Sequence, residues 1–427
     1  MLGIILGLVV LMVLAFLGWS IIWVAPIAAG VVALTGGLDL LEAYTDTYMS
    51  GFVGFAKKWF PVFMLSAIFG KLMEDTGMAR SVAVALSRLM GTKRAILGVL
   101  LSSAVLTYGG ISLFVVVFAV YPLALSLFRE ANISRRLLPA TIALGAFTFT
   151  MTALPGTPQI QNLIPMPYFQ TTAMAAPVMG IVSALIMGIC GYYYLIWRQK
   201  QMAANGEVYD EPNDKSILKV EGSVPNVLLS LLPLLTVLIT LNVLEWDIVI
   251  ALLAGILLIL ILNISKIKGF VKSINAGAAG SITAIINTSA AVGFGTVVQA
   301  VPGFKKLTDM LVGIPGNPLI SEAVAINLLA GATGSASGGM GIALEALGAK
   351  YYELSMTSGI APEAFHRIAS LSSGGLDVLP HNGAVLTLLT ITGMTHKDSY
   401  KDIAVVAIII PIIATAVAIV LAAMGIY

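Results

Sequence analysis

Long apolar runs separated by short polar punctuation dominate this chain. Residues 3–18, 21–38, 173–197, 224–244, 248–264 and 403–426 are predominantly apolar, and most approach the roughly 20 residues a helix needs to cross about 30 Å of hydrocarbon. The first, MLGIILGLVVLMVLAFLGW, has no basic leader and no small-residue cleavage pattern before the next apolar run, so it reads as a retained helix. The one distinctly polar stretch, 198–222, carries nine charged residues and begins where the apolar helix 173–197 ends. It reads as a linker between two halves.

The halves carry the same interruptions 225 residues apart. Gly109 in LTYGGISLF and Pro155 in TALPGTPQ have counterparts in Gly334 of GATGSASGGMG and Pro380 of LDVLPHNGA. Phe69-Gly70 matches Phe294-Gly295, and Ser112 matches Ser337, at the same offset. Repeated helix breakers within apolar segments suggest a transporter built from two copies of one unit. Each half reads as two plain helices, a third ending near Phe69-Gly70 or Phe294-Gly295, a broken pair, an interrupted helix and a last plain helix. The first arms of the pairs, 93–106 and 318–333, hold 14 and 16 positions, about 21 to 24 Å of helix. They are too short to cross upright and are followed at once by Gly-rich sequence, so each pair reads as a re-entrant hairpin.

A hairpin adds no crossing, which leaves five crossings per half, and an odd number forces opposite insertion of the two copies. The expected fold is an all-α polytopic membrane protein with two inverted repeats. The first repeat is 1–197 (hairpin about 93–128, broken helix about 137–166), and 198–222 is a cytoplasmic linker. The second repeat is 223–427 (hairpin about 318–347, broken helix about 364–394).

Composition agrees. With 58% hydrophobic and only 10% charged residues, and a mean hydropathy of +0.98, the polar surface is too small to cover a soluble globule. On the drawn topology, seventeen of the 23 lysines and arginines fall on the linker side and six, among them Lys57, Lys58 and Arg367, on the other. The positive-inside rule then puts the linker in the cytoplasm, both termini outside, and the chain in the inner (plasma) membrane as a multi-pass protein. The first hairpin opens inward and the second outward. Cys190 is the single cysteine, so no intramolecular disulfide or thiolate metal site is expected. A net charge of +2 gives no reason to expect a nucleic-acid partner.

Interrupted backbone cannot face lipid, so the four breaks should converge on protein or a watery cavity. Half-helix N-termini there offer free N–H groups and a positive dipole end, suited to a carboxylate. The candidate substrate positions are Thr107, Gly109, Gly110, Ser112, Gly156, Thr157 and Gln159 in the first half. In the second they are Gly334, Ser335, Ser337, Gly338, Asn382 and Gly383, with Gln161 and Asn162 nearby in the first. Gly334 and Gly338 also form a G-x-x-x-G spacing that serves close helix packing; it is the repetition of the whole constellation that favours a site. Asp377 breaks the symmetry, because Thr152 stands at its equivalent, and His381 lies at the break itself. Both are candidates for proton coupling, since an ionisable group at membrane depth is costly to keep. Glu345, in an apolar stretch, is held in reserve. His366 and His396 adjoin Arg367 and Lys397 and are expected to be solvated. The three histidines show no metal-ligand spacing, and neither H-E-x-x-H nor G-x-S-x-G occurs, so no enzyme, metal or cofactor is expected.

The segment LDVLPHNGAVLTLLTITGMTHKDSYKDI, residues 376–403, resembles the gluconate permease family, in particular its hydroxybutyrate permease branch. The hairpin-and-broken-helix plan is similar to the wider ion-transporter superfamily over nearly the whole chain apart from the linker. The resemblance implies a secondary transporter with a dimerising scaffold, hence a homodimer, and a mobile hairpin-bearing domain working as an elevator. It also implies proton symport of small sugar acids and hydroxy acids, such as gluconate or 3-hydroxybutyrate. It assigns substrate binding to the tip residues around Gly109 and Ser335 to Gly338 and to the breaks TALPGTPQ and LPHNG. Sodium-coupled relatives carry Ser-Asn-Thr tips where this chain has TYGGIS and GSASGG. Sodium-coupled carboxylate transport and a passive small-anion channel are the alternatives.

Overall fold

The computed structural model describes residues 1–212, 224–312 and 317–427. Among these, all regular structure is helical. In the first half, α1 (Leu2–Phe16), α2 (Ile21–Gly36) and the single turn α3 (Leu40–Glu42) lead through a π-helical stretch, Ala43–Tyr48, into α4 (Met49–Asp75). Then come α5 (Met78–Met90), α6 (Ala95–Tyr108), α7 (Leu113–Glu130), α8 (Leu138–Ala146), α9 (Phe149–Thr152), α10 (Ile160–Leu163), α11 (Met166–Phe169) and α12 (Pro177–Ala204). The second half holds α13 (Val227–Asn242), α14 (Ile248–Leu262), α15 (Ile267–Ala300), α16 (Gly303–Val312), α17 (Pro318–Thr333), α18 (Ala336–Thr357), α19 (Pro362–Ser373), α20 (Gly383–Thr392), α21 (His396–Ala404) and α22 (Ile410–Ala423). Helices begin at Met78 and Gly303, Ala95 and Pro318, Leu113 and Ala336, and Leu138 and Pro362, each pair 223 to 225 residues apart.

Five helical stretches of the described residues are long and apolar enough to cross a membrane: Leu40–Asp75, Leu113–Glu130, Pro177–Ala204, Ile264–Ala300 and His396–Ala423. A sixth arises if Met78–Met90 and Thr92–Tyr108, bent by 103°, form one span. Large apolar side chains on the outer helices, such as Trp23, Leu34, Leu228, Val243 and Ile261, are exposed. A solvent of hydrocarbon suits that surface, whereas water would penalise it. Inside, one apolar core runs through most of the helices, and a smaller one joins α1 and α2 to α15 through Leu11, Val32 and Phe294.

Several expected boundaries are corrected. The third helix of each half does not end at Phe69-Gly70 or Phe294-Gly295; α4 continues to Asp75 and α15 to Ala300. These glycines are close-packing positions: a Cβ on Gly295 would lie 3.3 Å from the Ile342 backbone, so the small residue admits α18 without breaking α15. The amphipathic helices α5 and α16 were not expected, because their alternation of polar and apolar positions forms no uniformly apolar run.

The break regions are also more divided than single interrupted helices, since residues 137–166 fold as α8, α9 and α10 with irregular backbone from Ala153 to Gln159. Residues 364–394 fold as α19, the 3-10 turn Leu376–Val378 and α20. The linker likewise starts later than position 198: α12 runs on to Ala204 because RQKQMAA is good helix-forming sequence. Arg198 Nε there pairs with Asp402 Oδ1 at 3.0 Å. Residues 205–212 lie back on the bundle, with Arg129–Glu211 at 2.9 Å and Arg136–Glu207 at 3.1 Å. The remainder of the expected linker, 213–222, lies outside the described residues.

Candidate functional site

The two helix-pair tips and the two breaks meet around one cavity of about 430 Å³. The first tip follows from glycine at Gly110, whose φ of +95° closes the α6–α7 turn. Ser112 then begins α7. Gln159, at the first break, donates through Nε2 to Thr107 O at 2.7 Å and Ile111 O at 3.2 Å, tying the first break to the α6–α7 turn. The second tip turns at Gly334, where φ is +59°. Ser335 caps α18 by accepting from Gly338 N at 3.1 Å.

Asn382 performs the matching task at the second break. Its Nδ2 donates to Gly334 O at 2.9 Å and Asp377 O at 2.8 Å, while its Oδ1 accepts from Val385 N at 2.8 Å and caps α20. In each half, then, an amide side chain from the break holds the tip of the neighbouring helix pair. Replacing Asn382 by Ala removes three hydrogen bonds, each contributing about 1 kcal/mol net. We expect a loss of about 2 to 3 kcal/mol, read as a fall of several degrees in the thermal midpoint of the detergent-purified protein.

The interrupted backbone is otherwise satisfied by side chains from across the fold, as buried carbonyls require. Tyr108 donates to Pro155 O at 2.9 Å and Asn242 to Gly156 O at 2.9 Å. At the second break His396 Nε2 lies 2.9 Å from Pro380 O and Tyr400 donates to Val378 O at 3.2 Å. His396 is thus half-buried and engaged, not simply solvated as its neighbour Lys397 suggested.

Of the sequence candidates, Gly110, Ser112, Gln159, Gly334, Ser335, Ser337, Gly338, Asp377, His381, Asn382 and Gly383 line the cavity, as does Gln161. Thr107, Gly109, Gly156 and Thr157 do not. Gly109 faces Leu234, where a Cβ would meet a side-chain atom at 2.7 Å, and Gly156 faces Asn242 and Met174. Thr107 and Thr157 are buried behind the wall. Asp377 is buried at 3% exposure, with Oδ1 accepting from Gly375 N at 2.8 Å. The His381 ring lies against Phe16, with centroids 4.2 Å apart. Glu345 is off the cavity and accepts from Tyr168 OH at 3.0 Å.

His366 and Arg367 are the clear reversal. Both were expected at a wet helix end, and both have 0% exposure. From Ala364 to Ser373 α19 is buried on every side, a circumstance its polar sequence does not reveal. Two polar residues of the long helices were also missed. Asn287 of α15 lines the cavity with its Oδ1 buried and unpartnered, as is Gln161 Oε1. Glu322 of α17 is fully buried away from the cavity, with neither carboxylate oxygen bonded. For Glu322 the readable signal was a carboxyl in an otherwise uncharged helix; Asn287 stands beside Thr288 and Ser289 and gave no such signal.

Chemically, the wall has no lysine or arginine. It presents instead, among the described residues, the N-termini of α7, α18 and α20, helices of 18, 22 and 10 residues, together with hydroxyls, amides, the His381 imidazole and one carboxyl.

Residues 1–245 match the family model described as "GntP family permease". Over 95% of both chains the sequence is 43% identical to the "Uncharacterized transporter YxjC" of Bacillus subtilis (strain 168). The chain belongs to the GntP permease family. The fold of this permease is also similar to that of the Alcanivorax borkumensis YdaH transporter, with a TM-score of 0.61 and 14% identity over 91% of this chain and 90% of that one. Membership makes it a multi-pass membrane transporter rather than a member of an enzyme family.

Proposed function

We propose that this permease is a secondary active transporter that carries a small organic acid anion together with protons. The observation that carries the reading is the single cavity at which both tips and both breaks meet. Three substantial helix N-termini face it, and Asp377 is its one carboxyl.

Free amides at those N-termini receive a carboxylate without a basic side chain. Ser335 takes up the Gly338 amide, which leaves the amides of Ala336 and Ser337, both at the cavity, with no acceptor inside α18. The unpartnered amide oxygens of Gln161 and Asn287 can accept from the hydroxyls of a hydroxy acid or sugar acid such as 3-hydroxybutyrate or gluconate. A cavity of about 430 Å³ falls within the range of small-molecule sites.

Asp377 supplies the coupling. An ionised carboxylate in the same cavity repels the substrate anion, so the anion binds best when Asp377 carries a proton, and by linkage each ligand favours the other. The 223- to 225-residue recurrence of helix starts supports two repeats inserted in opposite senses, with the α6–α7 and α17–α18 pairs as re-entrant hairpins. Alternating access is then an elevator movement of the hairpin-bearing unit, with the linker cytoplasmic, the termini outside and the protein a homodimer.

The test is uptake into proteoliposomes holding the purified protein. A pH gradient, acid outside, is expected to drive saturable accumulation of 3-hydroxybutyrate or gluconate that an uncoupler abolishes. Accumulation that follows a sodium gradient and ignores pH would replace proton by sodium coupling. Equilibration without accumulation would identify a channel.

A further inference from the structure

Arg367 sits on α19 in the second half of the chain, yet its guanidinium bonds run to the first half. Nε donates to Ala175 O at 3.0 Å, and Nη2 to Ala175 O at 2.6 Å and Ala173 O at 3.5 Å. Nη1 donates to Asn162 Oδ1 at 2.9 Å and Ala153 O at 3.3 Å. Ala153 directly follows α9 and Asn162 lies in α10, so these acceptors flank the first break, while Ala173 and Ala175 lead into α12. Asn162 passes the connection on through Nδ2 to Thr157 O at 3.0 Å and Ala173 O at 2.9 Å, and His366 Nε2 lies 3.3 Å from the same Oδ1.

A guanidinium stays charged in proteins. The ion pairs of the described residues do not include Arg367. Its acceptors are neutral carbonyls and an amide, which satisfy its donors without cancelling its charge. Removing an unpaired charge from water is expensive, and a side chain at 0% exposure bears that cost in full. Asn162, which it holds, directly follows Gln161 of the cavity wall. A net positive charge therefore stands behind a wall that, among the described residues, contains no lysine or arginine.

We propose that Arg367 is the fixed counter-charge for the substrate's carboxylate, acting through Asn162 and the first break rather than by contact. It is a positioning and specificity-determining residue, and it commits the site to anions over neutral molecules of the same shape. The low-dielectric interior lets the charge act across the intervening residue, where bulk water would screen it. The assignment rests on the transport reading above.

Affinity measured on the purified full-length protein, for 3-hydroxybutyrate and gluconate and for their neutral amides, tests it. The wild-type protein is expected to prefer the anion over its amide by about tenfold or more. Arg367→Lys keeps most of that preference, whereas Arg367→Gln reduces it to within about twofold, with amide affinity unchanged. A Gln variant that keeps the full preference, or one that loses anion and amide alike, overturns the assignment and leaves Arg367 a structural clamp.

Should the Gln variant fail to fold, Asn162→Asp places a carboxylate beside the guanidinium and neutralises it, with loss of the Nδ2 bonds to Thr157 O and Ala173 O, for which the amide affinity is the control. Anion affinity is then expected to fall while amide affinity holds, and an unchanged preference overturns the assignment. Wild-type protein that binds neither anion overturns the transport reading, and this assignment with it, a result distinct from selective failure of the variants.

Discussion

Asp377→Asn protein, reconstituted with an imposed pH gradient, is expected to lose accumulation entirely while folding as well as the parent. One pH unit is worth about 1.4 kcal/mol per proton, so a one-proton symporter concentrates its substrate about tenfold at equilibrium. The variant should reach a ratio of about one. Asparagine is nearly isosteric, and its Oδ1 can still accept from Gly375 N, the bond Asp377 makes at 2.8 Å. The thermal midpoint should therefore hold, which separates lost coupling from lost fold. Substrate binding should survive and lose its dependence on pH, because the group that competes electrostatically with the anion is gone. Undiminished accumulation by this variant would remove Asp377 from the mechanism.

The second large effect is structural. Gly339→Ala is expected to destabilise the protein by about 3 kcal/mol, the upper end of the usual cost of overpacking, because backbone must move. A Cβ at Gly339 of α18 would stand 2.1 Å from Ala330 N, 2.2 Å from Ala330 Cα and 2.5 Å from Leu329 C on α17. No rotamer relieves a clash with backbone, so the two helices must part and the tip at Gly334 must open with them. Gly54→Ala in α4 is the control. Nothing lies within 4 Å of its added Cβ, and replacing Gly inside a helix with Ala is worth roughly 0.5–1 kcal/mol in the opposite direction. Thermal unfolding of both variants, with uptake measured alongside, checks the pair. A Gly339→Ala protein as stable and active as the parent would mean that α17 and α18 are not packed as described.

Helix breakers stand out against an apolar background, which is why Gly334, Pro155 and Pro380 point to the region of the cavity. Asp377 was legible for a related reason: a carboxyl within an apolar stretch needs an explanation. Glu322 carried the same signal more faintly, as the single charged residue of α17 without a neighbouring breaker, whereas Asn287 is one of several polar residues along α15. The helices α5 and α16 mix polar and apolar positions, so a search for uniformly apolar runs passes over them even though they recur at the 225-residue offset. Gly109 and Gly156 were placed at the substrate because they sit at the breaks, but a break has two sides, and theirs face Leu234 and Asn242.

What the chain's own order of residues determined is the class and the plan: a helical membrane transporter, with its interruptions at corresponding places in two halves. These follow from local rules, the solvation of apolar runs and the conformational demands of Gly and Pro. Only the tertiary structure decided which sides of the breaks face the cavity, that His366 and Arg367 are interior, and that a second-half arginine satisfies first-half carbonyls. Such facts depend on packing between segments about 200 residues apart. The desolvation that gives a buried charge its significance is a property of the neighbours the fold supplies, not of the residue or its place in the sequence.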